Sequence, residues 1–326
     1  MFTTGILFAE DAVKPTAEQT RLLNETSLIR FPVENEIAKV IPIPKKEGNA
    51  AEYYKMLEVL YKEDIANLAS GAVKPDAKGI DVIFKASQYV SCQLVPTAYP
   101  SLEYLPINMP NITIHFAYLQ AMLDRAEAYR KNNQHDFAVR TYQAILTWGL
   151  HYINDRSTVL IYLFGLLTLE KGLAAYYDYN FKLAKLDASN LINQVRENTV
   201  QSSIRFLSMK IGHYLGKLTN YDSIYALQKV ALEDPEPMWR KEAAVRLGLL
   251  RHGAPIRDTR IVENLEANAQ LQLIAHNTLL KMAETDADPS IRMLAQWCIT
   301  SLTPAIYVEF TQQQLSSLNP IRKPAD

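Results

Sequence analysis

The chain has 326 residues, 48% of them hydrophobic, and its 34 basic and 35 acidic side chains give a formal net charge of -1. That length buries a sizeable core and suits about two domains, while the balanced charge lacks the basic footprint needed to neutralise nucleic-acid phosphates or meet an anionic membrane. Two cysteines far apart in sequence, Cys92 and Cys298, exclude a disulfide-dense scaffold and a cysteine-rich zinc site, leaving one bridge or two buried thiols as the alternatives.

At the amino end, residues 1–9 (MFTTGILFA) are apolar and give way abruptly to Glu10 and Asp11. This resembles the tail of an export signal without its charged leading region, so an exported or periplasmic location is slightly favoured over a cytoplasmic one. Residues 10–47 contain Pro15, Pro32, Pro42 and Pro44, which predicts an irregular arm with one short helix near residues 17–29. From residue 49 onward, Tyr53, Met56, Leu57, Leu60, Ile65 and Leu68 recur at helical spacing and Gly71 supplies a stop, so one long amphipathic helix is expected there. A shorter helix is expected over residues 78–90. Pro96, Pro100, Pro106 and Pro110 then punctuate an irregular connection, longer than most loops in compact domains and a candidate functional segment on that ground.

Residues 111–234 contain no proline, although the flanks hold all sixteen. Proline costs about 3 kcal/mol in a helix interior, so this block suits consecutive helices. Ile112, Phe116, Leu119, Leu123 and Ala126 form one apolar stripe. After a polar break at residues 131–136, Phe137, Thr141, Ile145, Trp148 and Tyr152 form a second, which predicts an antiparallel helical hairpin. A third helix is expected over residues 158–183, and a fourth over 188–218 with Asp187, Ser189 and Asn190 offering cap chemistry. The most apolar run, residues 159–169 (VLIYLFGLLTL), is shorter than the roughly 20 residues that span a bilayer, so it reads as a buried helix and no transmembrane segment is expected.

Ala126, Tyr129, Ala138 and Tyr142 fall in the register of the Gly, Tyr, Ala and Phe positions of a tetratricopeptide repeat, with Met122, Arg125 and Leu150 at its Trp, Leu and Pro positions. The hairpin therefore resembles that repeat. Farther on, Asp234 and Pro235 precede Trp239, Arg240, Ala243, Ala244 and Gly248, and Asp288 and Pro289 precede Ile291, Arg292, Ala295 and Cys298. These two copies resemble HEAT repeats. Asp caps the incoming helix, Pro suits its first turn, Ala lets the paired helix approach, and the Arg is placed to pair with a turn carboxylate between neighbouring repeats. A degenerate unit between the copies predicts a short helix over residues 256–265 and a longer one over 269–284.

The resemblances cover residues 111–304. They imply an all-α, right-handed helical-hairpin solenoid in which tetratricopeptide-like helices precede HEAT-like repeats. The expected divisions are an irregular N-terminal arm (1–47), a tetratricopeptide-like domain (48–218), a HEAT-like domain (219–305) and a C-terminal tail (306–326).

Six histidines stand singly, with no HExxH or HxxxH spacing to place two on one helical face, and each reads as a surface or satisfied histidine. There is no GxSxG, GxGxxG or GxxxxGK[ST], and no cofactor or metal is expected. Carboxylates clustered at Glu233, Asp234 and Glu236, and at Asp286 and Asp288, read as capping and solvation groups. Trp148, Tyr152, Tyr162, Tyr176, Tyr177 and Tyr179 form the candidate partner-binding surface, because such rings combine apolar area with a polar tip; interhelix filler is the competing reading. Glu170, directly after the apolar run, is the candidate semi-buried carboxylate. The implied role is a non-enzymatic scaffold or adaptor that binds a protein or peptide, with self-association as an overlapping reading. The alternative is an enzyme or small-molecule receptor with a tyrosine-lined pocket among the helices of residues 111–218.

Overall fold

The computed structural model describes residues 37, 44, 46–60, 67, 74–94, 112–155, 158–179, 188–217, 221–251 and 265–300. The described residues are mostly helical, with ten helices and two short strands. The first are β1 (Lys46–Asn49), α1 (Ala51–Leu60), α2 (Ala77–Ala86) and β2 (Tyr89–Ser91). The two strands pair in parallel, Lys46 opposite Tyr89 and Asn49 opposite Ser91, a ribbon that helical periodicity did not reveal. The helix expected over 78–90 stops at Ala86. There the Ser87 amide donates to the Ile83 carbonyl at 2.9 Å and its hydroxyl to the Phe84 carbonyl at 2.9 Å, after which Tyr89 and Val90, both strand formers, find the open edge of β1.

Two side-chain caps fix this unit. Asn49 Oδ1 accepts from the Ala51 amide at 3.1 Å, opening α1, and from the Gln93 amide at 2.8 Å across the ribbon. Asp76 caps α2, accepting from the Gly79 amide at 2.9 Å and from the Tyr118 hydroxyl at 3.2 Å. The end of the first helix expected at Gly71, most of the N-terminal arm, the proline-punctuated connection and the C-terminal tail lie outside the described residues.

The proline-free block folds into α3 (Ile112–Lys131), α4 (His135–Asp155), α5 (Val159–Tyr179) and α6 (Ala188–Lys217). The break between α3 and α4 centres on Asn133, whose φ of 58° is the left-handed conformation that Asn tolerates. The buried face of α3 is rotated from the expected stripe. His115, Tyr118, Leu119, Met122 and Ala126 point inward, whereas Phe116 is 39% exposed. Phe137 is likewise outside and lies against Tyr129 with ring centroids 5.4 Å apart. The small positions of the tetratricopeptide register, Ala126 and Ala138, are fully buried.

Helices α4 and α5 cross unusually closely. A Cβ placed on Gly165 would lie 2.8 Å from the Ile153 backbone nitrogen and 2.9 Å from the Gly149 carbonyl oxygen, so only glycine fits. The apolar run expected to be a buried helix is α5, with Val159, Ile161, Phe164, Leu166 and Leu169 all inside. Among the described residues it is the one helix long and apolar enough to cross a membrane, and 67% of that stretch is buried within the protein.

The last four helices are α7 (Tyr221–Glu233), α8 (Pro237–Arg251), α9 (Leu265–Thr285) and α10 (Pro289–Thr300). Each prolyl helix start follows an aspartate turn. The short helix expected over 256–265 falls mostly outside the described residues, and Leu265, expected at its end, opens α9 instead. From α3 onward every helix packs against the next in sequence, and the pairs α3 with α5, α6 with α8, α7 with α9 and α8 with α10 also touch. Helix α6 packs against α5, α7 and α8.

Candidate functional site

The candidate rings are distributed between core and edge. Trp148 and Tyr152 are fully buried, and Tyr162 and Tyr176 nearly so, while Tyr177 is half-buried; the Tyr179 side chain lies outside the described residues. Trp148 and Tyr152 meet Tyr54 of α1, His115 of α3 and Phe164 of α5 in one aromatic cluster. Tyr54 stacks on Trp148 with centroids 5.8 Å apart, and Tyr152 stands edge-on to Tyr54 at 5.1 Å. Tyr176 lies against Tyr142 at 5.7 Å. The core-packing alternative is thus what the positions of Trp148, Tyr152, Tyr162 and Tyr176 supply, because buried rings offer no face to a macromolecule.

The cluster contains polar atoms that had no signature in sequence. Tyr54 Oη lies 2.9 Å from His151 Nδ1, and His151 Nε2 lies 2.9 Å from the Tyr89 carbonyl oxygen. A carbonyl only accepts, so Nε2 carries the proton and donates it, and Nδ1 accepts from the Tyr54 hydroxyl. Nearby, Tyr152 Oη and His115 Nδ1 share a hydrogen bond of 3.1 Å. Burial lowers the His151 pKa to about 4, against the opposing pull of its bond to Tyr89, and raises that of Tyr54 well above its usual value. The imidazole is therefore neutral and locked in one tautomer. It joins α1, β2 and α4 and holds no face to solvent.

This predicts a pH dependence of stability. The unfolded imidazole takes a proton near pH 6.5 and the folded one only near pH 4, so the unfolded state binds more protons between those values. The His151 contribution is complete above about pH 6.5 and falls away on acidification, by about 3 kcal/mol once the pH reaches about 4. Urea unfolding across that range should show the decline in the native protein and a shallower one in His151→Gln. Equal slopes would contradict the assignment.

Glu170 sits at the edge of α5 with 21% of its side chain exposed and accepts from Arg196 Nε of α6 at 3.0 Å. It is partly buried and ion-paired. Cys92 and Cys298 are free and buried, and burial pushes both thiols upward.

A second polar array runs through the carboxy-terminal helices. Arg205 of α6 pairs with the buried carboxylate of Asp234 and lies over the Trp239 ring at 4.5 Å. Asp234 Oδ1 accepts from the Glu236 amide at 3.0 Å. Arg240 then bridges two turns. Its Nη1 donates to the Asp234 carbonyl at 2.7 Å, while Nε and Nη2 grip the Asp286 carboxylate at 2.9 and 3.0 Å. In the following turn Arg292 Nη1 donates to the Asp286 carbonyl at 2.5 Å, and Asp288 accepts from the Ser290 amide and hydroxyl at 2.8 and 2.7 Å. Arginine thus links one turn to the next, as the paired Asp and Arg positions suggested. Burial lifts the Asp234 carboxyl above its ordinary range, with Arg205 and the Glu236 amide opposing. At Asp288 burial pushes the same way, but the Ser290 donors prevail and hold it below that range.

No known protein family, characterised protein or solved structure matches this chain.

Proposed function

We propose that the protein is a non-enzymatic helical-repeat scaffold or adaptor that binds another protein or peptide, its helices continuing as a right-handed solenoid in which tetratricopeptide-like hairpins lead into HEAT-like repeats. The observation that carries this reading is the succession of packed neighbours from α3 to α10, with Arg240 bridging the turns that precede α8 and α10. Arrays of that kind spend their interior on holding adjacent helices together and leave long helical exteriors for contact. The partner would meet those exteriors, with Tyr177 the half-buried ring of the candidate set nearest to such a surface.

The test is crosslinked affinity capture of the tagged protein from its native cells. A near-stoichiometric partner whose recovery is unchanged by Glu170→Gln combined with Tyr177→Phe supports the adaptor reading. Recovery of the bait alone, with turnover of a small molecule that the same double variant abolishes, would replace it with the pocket alternative.

A further inference from the structure

One constant offset carries Asp234 onto Asp286 and Arg240 onto Arg292, and with them the pair α7–α8 onto α9–α10. The first pair is covered by the second. Ala244 and Leu247 of α8 are fully buried and Gly248 is buried, while Gln228 of α7 donates to Thr278 Oγ1 of α9 at 2.9 Å. The equivalent positions of the second pair are open: Gln296 and Thr300 are exposed, Ile299 is half-buried, and Leu280, in the place of Gln228, is 38% exposed. Leu273, two turns before Leu280 on α9, is 57% exposed.

The arginine bridge is interrupted at the same end. Arg240 uses one nitrogen for its own turn and the Nε–Nη2 edge for the next carboxylate. Arg292 uses Nη1 for the carbonyls of its own turn, and its Nε–Nη2 edge meets no carboxylate among the described residues. Glu284, one turn beyond Leu280 on α9, is exposed. The open end therefore combines an apolar middle with one cation and one anion that meet no opposite charge among the described residues, which makes it complementary to itself.

We infer that this end face, formed by α9 and α10, is a two-fold interface with a second copy of the chain. Leu280 and Ile299 meet their counterparts, and Arg292 of each copy takes Glu284 of the other. Stacking of a second copy's α9–α10 end onto the α7–α8 pair is closed, because α6 already packs there and Arg205 holds the buried Asp234. An isologous contact closes after two copies and makes no filament. This goes beyond the adaptor reading and stands without it.

Sedimentation equilibrium and native mass spectrometry of the full chain over micromolar concentrations test the inference. A dimer is expected. Leu280→Glu should leave monomer only, and Arg292→Glu should weaken dimerisation about tenfold, since each pair occurs twice. Combining Arg292→Glu with Glu284→Arg should restore it, a rescue that a merely misfolded variant would not show; circular dichroism checks that every variant keeps its helix content. A monomer throughout the range, a larger assembly, or a dimer indifferent to Leu280→Glu would each overturn the interface.

Discussion

Arg205→Met is expected to destabilise the protein by about 3–5 kcal/mol, because it leaves the Asp234 carboxylate buried without its cation. Methionine keeps the apolar stem and a polarizable atom over the Trp239 ring, so the loss reports the charge more than the packing. The informative control is the double variant Arg205→Met with Asp234→Asn. Asparagine removes the charge and still offers an oxygen to the Glu236 amide, so most of the lost stability should return. Denaturant midpoints of the native protein, both single variants and the double variant complete the cycle. If Arg205→Met matched the native protein, the ion pair would have no bearing on stability.

Gly165→Ala should be the other severe substitution, and its sign opposes helix propensity. In an open helix, replacing Gly by Ala stabilises by roughly 0.5–1 kcal/mol. At Gly165 the added methyl would stand 2.8 Å from one backbone atom of α4 and 2.9 Å from another, and neither can rotate away. The two helices must separate, which costs about 3 kcal/mol by overpacking. Gly172→Ala, on the same helix, meets mainly the Ile145 Cγ2 methyl at 2.9 Å and the Leu146 side chain at 3.1 Å, groups that can shift. Its effect should be clearly smaller. Thermal and urea unfolding of the two variants side by side would show the contrast, and a Gly165→Ala protein as stable as the native one would contradict the close crossing.

The sequence made the helices readable wherever the deciding forces are local. Asp and Pro at 234–235 and 288–289 mark turns through capping and ring geometry, and both turns stand where those residues place them. The two Asn residues at 132 and 133 broke α3 from α4 for similar reasons. The rotation of α3 was not readable, since its inward face includes His115 and Tyr118, whose polar atoms are satisfied by Tyr152 and Asp76 from other elements. Neither His151 nor Tyr54 carried a signal, because 97 residues separate them and neither forms a motif. The ribbon was missed for the same cause: Tyr89–Ser91 is too short to alternate, and its partner strand straddles the boundary drawn between the arm and the first helical domain. Counting aromatic side chains found Trp148 and Tyr152, but composition alone does not distinguish a ring that fills space from one that meets a partner.

Three side chains grip the ribbon and the residues that follow it through main-chain groups. His151 reaches the Tyr89 carbonyl, Asp155 the Leu94 amide at 2.7 Å, and Asn49 both the amide and the carbonyl of Gln93. Peptide groups are common to nearly all residue types, so the two sides of each contact should differ in mutational tolerance. In a saturation library, the exposed position 93 should accept many side chains and reject proline, which removes the required N–H, whereas Leu94, buried in the core, should accept only apolar ones. His151, Asp155 and Asn49 should accept few. The polar specificity of this junction would then reside in three side chains, leaving exposed positions such as 93 comparatively free to drift in sequence.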